Sequence, residues 1–98
     1  MTITLNHAIV PALDNRQAAR FFASVMDLRE PPPAGRAGNF APVRINEQLT
    51  LDFMTVDEPV GLHLAFDVDP GTFDRIWTRL RAAGVPFGNH PAHPDNDR

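Results

Sequence analysis

The chain has 98 residues, a length that suits one domain, and its charged residues are 9 arginines, no lysine and 12 Asp plus Glu. The formal net charge of −3 excludes the basic footprint of a nucleic-acid binder. The absence of cysteine excludes disulfide scaffolds, thiolate metal sites and cysteine nucleophiles. Hydrophobic residues make up 43%, too many for a disordered chain. No apolar run approaches the roughly 20 residues of a membrane span, and the N-terminus (MTITLNHAIV) has neither the charged nor the apolar region of a signal peptide. The expectation is a soluble, cytoplasmic protein that contacts neither nucleic acid nor membrane.

Residues 3–10 are rich in β-branched side chains and stop at Pro11, which predicts a strand. Asp14 then offers an N-cap, with Gln17 as capping-box partner. Behind it Ala18, Phe21, Phe22, Val25 and Leu28 fall on one helical stripe, with Arg16, Arg20, Ser24 and Asp27 on the other side. This stripe predicts a helix with Phe21 and Phe22 in the core. Residues 31–39 (PPPAGRAGN) form a loop, because three prolines and two glycines suit neither a helix nor a central strand.

Residues 40–45 and 49–56 read as two strands joined through Asn46, Glu47 and Gln48 as a hairpin. In the second, Leu49, Leu51 and Phe53 share one face, and Thr50, Asp52 and Met54 share the other. Residues 62–68 repeat the alternation, with Leu62, Leu64, Phe66 and Val68 opposite His63, Ala65 and Asp67. Asp69 caps a second helix with Pro70 in its first turn, a stripe of Phe73, Ile76, Trp77, Leu80 and Ala83, and Gly84 at its end. Trp77 is expected to pack in the core. Residues 85–88 begin another strand, and residues 89–98 are expected to form a poorly ordered tail. The predicted order is β-α-β-β-β-α-β, an α+β fold with both helices on one face of a sheet.

The chain also resembles itself. LNHAIVPALD, followed by a helix bearing Phe21 and Phe22, parallels GLHLAFDVD, followed by a helix bearing Ile76 and Trp77. An Asp N-cap follows seven residues after His7 and six after His63. One insertion or deletion reconciles the two units.

With LNHAIV at the start, APVRIN and LTLDF in the middle, and LHLAFDV before FDRIWTRLRAAGV, the chain resembles the vicinal oxygen chelate superfamily. That group includes glyoxalase I, bleomycin-resistance proteins, fosfomycin-modifying enzymes and extradiol dioxygenases. The resemblance covers most of residues 3–91. It implies paired βαβββ modules curled around a cleft, with residues 3–56 as the first and residues 62–88 as the start of the second. It also implies three further strands beyond Arg98, with an Asp-Pro-Asp-Gly turn and a metal-ligating Glu. The alternative is a ferredoxin-like α+β domain, since dropping one strand leaves β-α-β-β-α-β.

His7 and His63 hold equivalent places in the two repeats, and both match metal-ligand histidines of the superfamily. Asp52 matches a position where glyoxalase-type members carry a glutamate ligand. Two histidines and a carboxylate suit a borderline divalent ion such as Fe, Mn, Ni, Co or Zn. Arg44 alternates with Val43 and Ile45, so it faces away from the helix-packed side and is placed to pair with a substrate carboxylate or oxyanion. The histidines and Arg44 also have an ordinary reading: half-buried or cleft histidines and an exposed edge-strand arginine. His90 and His93 stand beside prolines in the tail and read as solvated.

The resemblance thus implies a divalent-metal-dependent enzyme, a lyase, isomerase or dioxygenase, acting on an oxygen-rich small molecule. The alternative is a metal-free protein that sequesters a drug, as bleomycin-resistance proteins do. A homodimer is expected in either case, because residues 62–68 and 85–88 are too few strands to cover the second helix. Strands of one chain would then extend or cover the sheet of another, and Trp77 would be partly exposed in a monomer.

Overall fold

The computed structural model describes residues 2–30 and 40–85. The chain divides into two units, residues 1–62 and residues 63–98. The element order is β1 (His7–Ala12), α1 (Asn15–Met26), β2 (Phe40–Arg44), β3 (Thr50–Thr55) and α2 (Pro70–Ala82). Among the described residues the architecture is a small α+β fold with a three-stranded mixed sheet and two helices. Among the described residues, no helix is long and apolar enough to cross a membrane.

In the first unit, Asp14 caps α1 as its sequence implied: its Oδ1 accepts the Gln17 N–H at 3.0 Å. The Thr55 hydroxyl accepts the Asn15 N–H at 2.9 Å and ties the first turn to the end of β3. The helix ends at Asp27, whose φ of 57° lies in the left-handed region. There the Leu28 N–H reaches the Ala23 carbonyl at 2.8 Å and the Asp27 N–H reaches that of Ser24 at 3.4 Å. This paired closure is a Schellman motif, and Leu28 completes it by packing on the core.

The sheet order is β1-β3-β2, with β1 parallel and β2 antiparallel to β3. A parallel pair needs a crossover, and α1 with β2 provides it. Leu51 and Phe53 of β3 and Ala41 and Val43 of β2 are buried beneath α1, where Ala19 and Ala23 meet them. Ala8 and Val10 of β1 pack against the same cluster. The hairpin is closed by Asn46, whose side-chain Oδ1 accepts the N–H groups of Gln48 and Leu49, both at 2.8 Å.

Three expectations for this unit need correction. The helix face is rotated, so that Asn15, Ala19, Ala23 and Val25 are buried while Phe21 is 47% exposed. Small side chains lie where the helix comes closest to the sheet, and a pattern read from large residues misses them. The first strand begins at His7, where a partner in β3 becomes available, and runs through Pro11 to Ala12. Pro11 is tolerated because of its position. The Thr50 N–H bonds the Asn6 carbonyl at 3.0 Å and the Val56 N–H bonds that of Ala12 at 2.8 Å. The even-numbered residues of β1 therefore turn their polar groups to β3, and the nitrogen of Pro11 faces the open edge.

In the second unit, Asp69 caps α2 with Oδ2 accepting the Thr72 N–H at 3.1 Å and Oδ1 accepting the Thr72 hydroxyl at 2.6 Å. Pro70 stands in the first turn, as expected. Gly84, at φ 73°, ends the helix with a second Schellman closure, in which the Val85 N–H meets the Leu80 carbonyl at 3.1 Å and the Gly84 N–H meets that of Arg81 at 3.0 Å. No residue of α2 is buried, and Phe73 and Trp77 are 58% and 39% exposed. Trp77 is therefore not a core residue here; the Arg81 guanidinium lies over its ring, 5.1 Å from the centroid.

The strand expected over 62–68 is not formed. Its alternation is suitable, but no ladder partner faces it among the described residues, and Leu62, Leu64 and Phe66 are 53%, 45% and 37% exposed. Of the strand expected over 85–88, Val85 is described and closes α2 instead. The loop 31–39 and the tail 89–98 lie outside the described residues.

Candidate functional site

The pleat divides each strand of the first unit between two faces. One face lies under α1. The other carries His7, Ile9 and Pro11 of β1, Thr50, Asp52 and Met54 of β3, and Phe40, Pro42 and Arg44 of β2, ordered by the registers into three rows. The first row is His7–Thr50–Arg44, the second Ile9–Asp52–Pro42, and the third Pro11–Met54–Phe40. Three of the four residues that the sequence singles out, His7, Asp52 and Arg44, thus share one face of one sheet. In β1, Ala8 and Val10 take the side of α1, which leaves His7 and Ile9 on the other face.

His7 opens β1 and is exposed. Its ring Nδ1 lies 2.9 Å from the side-chain Oδ1 of Asn6. Asp52 sits on the central strand, half-buried, with Ile9 beside it on one side and Pro42 on the other. Rows on a sheet face repeat every two residues, so His7 and Asp52 are diagonal neighbours about 7–8 Å apart in their backbones. Arg44 ends β2, exposed, and is held by the hairpin: it donates to the Thr50 hydroxyl at 3.2 Å and to the Glu47 carbonyl. Among the described residues it forms no ion pair, whereas Arg20 and Glu30 make one on the surface at 2.7 Å.

His63 belongs to the second unit, where it is exposed and lies outside any helix or strand. His90 and His93 lie outside the described residues. Sequence reasoning missed two contributors. Thr50 joins His7 to Arg44 in one row, and the signal was its place in the alternation with Asp52. Asn6 reaches the ring of His7, and the signal was the Asn-His dipeptide at the strand start.

An imidazole and a carboxylate on adjoining strands of one face are chemically suited to a borderline divalent ion. The first unit offers these two donors, and among the described residues no three His, Asp or Glu side chains group together. The fit is therefore partial, with a third ligand needed from elsewhere. The surrounding Ile9, Pro11, Phe40, Pro42 and Met54 give the face an apolar ground on which the polar groups stand out.

No protein-family model matches the sequence. No curated protein sequence matches it significantly. Solved structures do match. The structure of the oxidase ChaP-H1 is 38% identical with a TM-score of 0.82, over 94% of this chain and 73% of that one. The oxidase ChaP-H2 is 37% identical with a TM-score of 0.84, over 95% of this chain and 72% of that one. The chain is an α+β protein with a small mixed sheet whose face opposite α1 carries His7, Asp52 and Arg44. It belongs to the family of the oxidases ChaP-H1 and ChaP-H2.

Proposed function

We propose that this protein is an oxidative enzyme of the vicinal oxygen chelate type, acting on an oxygen-rich small molecule at the face of the β1-β3-β2 sheet opposite α1. One observation carries the reading: 38% identity over 94% of the chain with a protein that is an oxidase. The placement of His7, Asp52 and Arg44 on a single face supports it. In this reading His7 and Asp52 would hold a divalent metal ion, and His63 is proposed as a ligand solely as the counterpart of His7 in the sequence repeat. When bound, such an ion supplies Lewis-acid polarisation of paired substrate oxygens.

The chain's own residues then have separable roles. His7 and Asp52 contribute one neutral and one anionic donor. Arg44, steadied by Thr50 and the Glu47 carbonyl, orients a carboxylate or phenolate group of the substrate, since its guanidinium keeps further N–H donors for an external oxygen. Ile9, Met54 and Phe40 give the substrate an apolar surface to rest on.

Metal binding is the direct test. After reconstitution with Fe, Mn, Ni, Co or Zn and removal of free ion, elemental analysis should find about one equivalent per chain, in keeping with one site. The His7→Ala, Asp52→Ala and His63→Ala chains should each retain markedly less, and retention should fall at low pH, where a protonated imidazole no longer ligates. Below about a tenth of an equivalent in the wild-type chain, with every metal tried, the metal-dependent reading would be wrong.

A further inference from the structure

We propose that Asn6 is a positioning residue that fixes the ring tautomer of His7, so that Nε2 is the atom presented to a ligand. The inference deepens the reading above and rests on it for the role of Nε2, while the tautomer itself follows from local geometry. The main-chain carbonyl of Asn6 accepts the Thr50 N–H at 3.0 Å, which pins its backbone to β3. Asn6 precedes the first residue of β1, so its side chain is free of the pleat that would send it to the opposite face. It turns instead to His7, placing Oδ1 2.9 Å from Nδ1.

An amide oxygen can only accept a hydrogen bond. The ring nitrogen facing it must therefore carry the proton, and in a neutral imidazole this leaves the lone pair on Nε2. Metal-ligating histidines commonly donate their other ring N–H to an oxygen, which fixes both tautomer and ring plane. Here that oxygen is supplied by the adjacent residue. His7 is exposed, on the face of the sheet opposite α1.

The tautomer can be read without any metal. Long-range ¹H–¹⁵N NMR correlations of the His7 ring would be recorded on the full chain with a chelator present, at about pH 8, where an ordinary imidazole is neutral. The His7→Gln chain supplies the assignment. The wild-type ring should carry its proton on Nδ1. Asn6→Ala should move the proton towards Nε2, and Asn6→Asp, which keeps an oxygen acceptor, should keep it on Nδ1. A wild-type proton on Nε2, or no change in Asn6→Ala, overturns the assignment whatever the metal does.

Cobalt(II) titration provides the second arm. Asn6→Ala should weaken binding by about 10–100-fold, as for other partners behind a ligating histidine, and Asn6→Asp should at least restore it. If the tautomer moves and cobalt affinity does not, although His7→Gln has lost it, the link to ligation is overturned. If His7→Gln binds cobalt as well as the wild type, the metal reading fails, while the tautomer result still decides the role of Asn6.

Discussion

Phe22 meets the ring of Phe53 at a centroid separation of 5.7 Å and an interplanar angle of 49°, whereas its neighbour Phe21 is 47% exposed. A tilted aromatic pair at the edge of a core gains from both burial and ring geometry. Phe22→Ala should therefore destabilise the chain by about 2–3 kcal/mol, short of the cost for a fully buried ring, and Phe21→Ala by under about 1 kcal/mol. Denaturant unfolding of the two variants measures this, and equal losses would mean that the helix face is misplaced. The sequence implied that both rings belong to the core, because a stripe drawn through large apolar residues ignores Ala19 and Ala23. Those two alanines set the closest approach of helix to sheet, and only the packed structure reveals it. By contrast, Asp52 and Arg44 were legible on the outward face, since alternation along a strand is a strict period of two.

At the scale of elements, the two helices are closed in the same manner. Each starts on an aspartate whose carboxylate accepts a hydrogen bond from the third residue on, and each ends in a Schellman closure. The caps were legible because they are local chemistry, read from a few adjacent residues. The strand over 62–68 was misread because a strand also needs a neighbour, which no local pattern supplies. The cap of α2 carries a pH dependence. Hydrogen bonding to the Thr72 hydroxyl, with the Thr72 N–H next, holds the Asp69 carboxyl below its ordinary value of 3.8. A carboxyl depressed in the folded state contributes its stability above its unfolded value, and loses it as pH falls through the folded one. Helicity followed by circular dichroism should thus be constant above about pH 5 and include an Asp69-dependent decline towards pH 2. Asp69→Ala should lack that component at low pH and show weaker helicity at neutral pH. An identical acid limb in both chains would show that the cap does not govern α2.

In the first unit α1 covers one face of the small sheet, so the helix both completes that unit's core and leaves His7, Asp52 and Arg44 on the face opposite it. The family relationship to ChaP-H1 and ChaP-H2 was not visible in composition or spacing; it came from likeness to solved structures. What the sequence left unread were relations across distance: the diagonal of His7 and Asp52, and the row that joins His7 to Arg44.

Both outer strands of the sheet carry a proline. Pro11 faces outward from β1, and on β2 Pro42 falls in the same outward phase, because the Ile45 N–H bonds the Leu49 carbonyl at 2.9 Å and sets the odd-numbered residues of β2 towards β3. Each edge therefore lacks a hydrogen-bond donor where an incoming strand would seek one. A second chain could cover this sheet, but adding a strand at either edge would leave an acceptor unmatched. The consequence concerns fibril formation: with Leu51, Phe53 and Val43 in adjacent strands, stacking of these strands into cross-β layers would bury apolar surface. A Pro11→Thr/Pro42→Thr chain, whose new side chains favour strands without adding hydrophobicity, should nucleate thioflavin-positive aggregates faster than the wild type under mild agitation. Matching lag times would show that the two prolines are not the gatekeepers of this sheet.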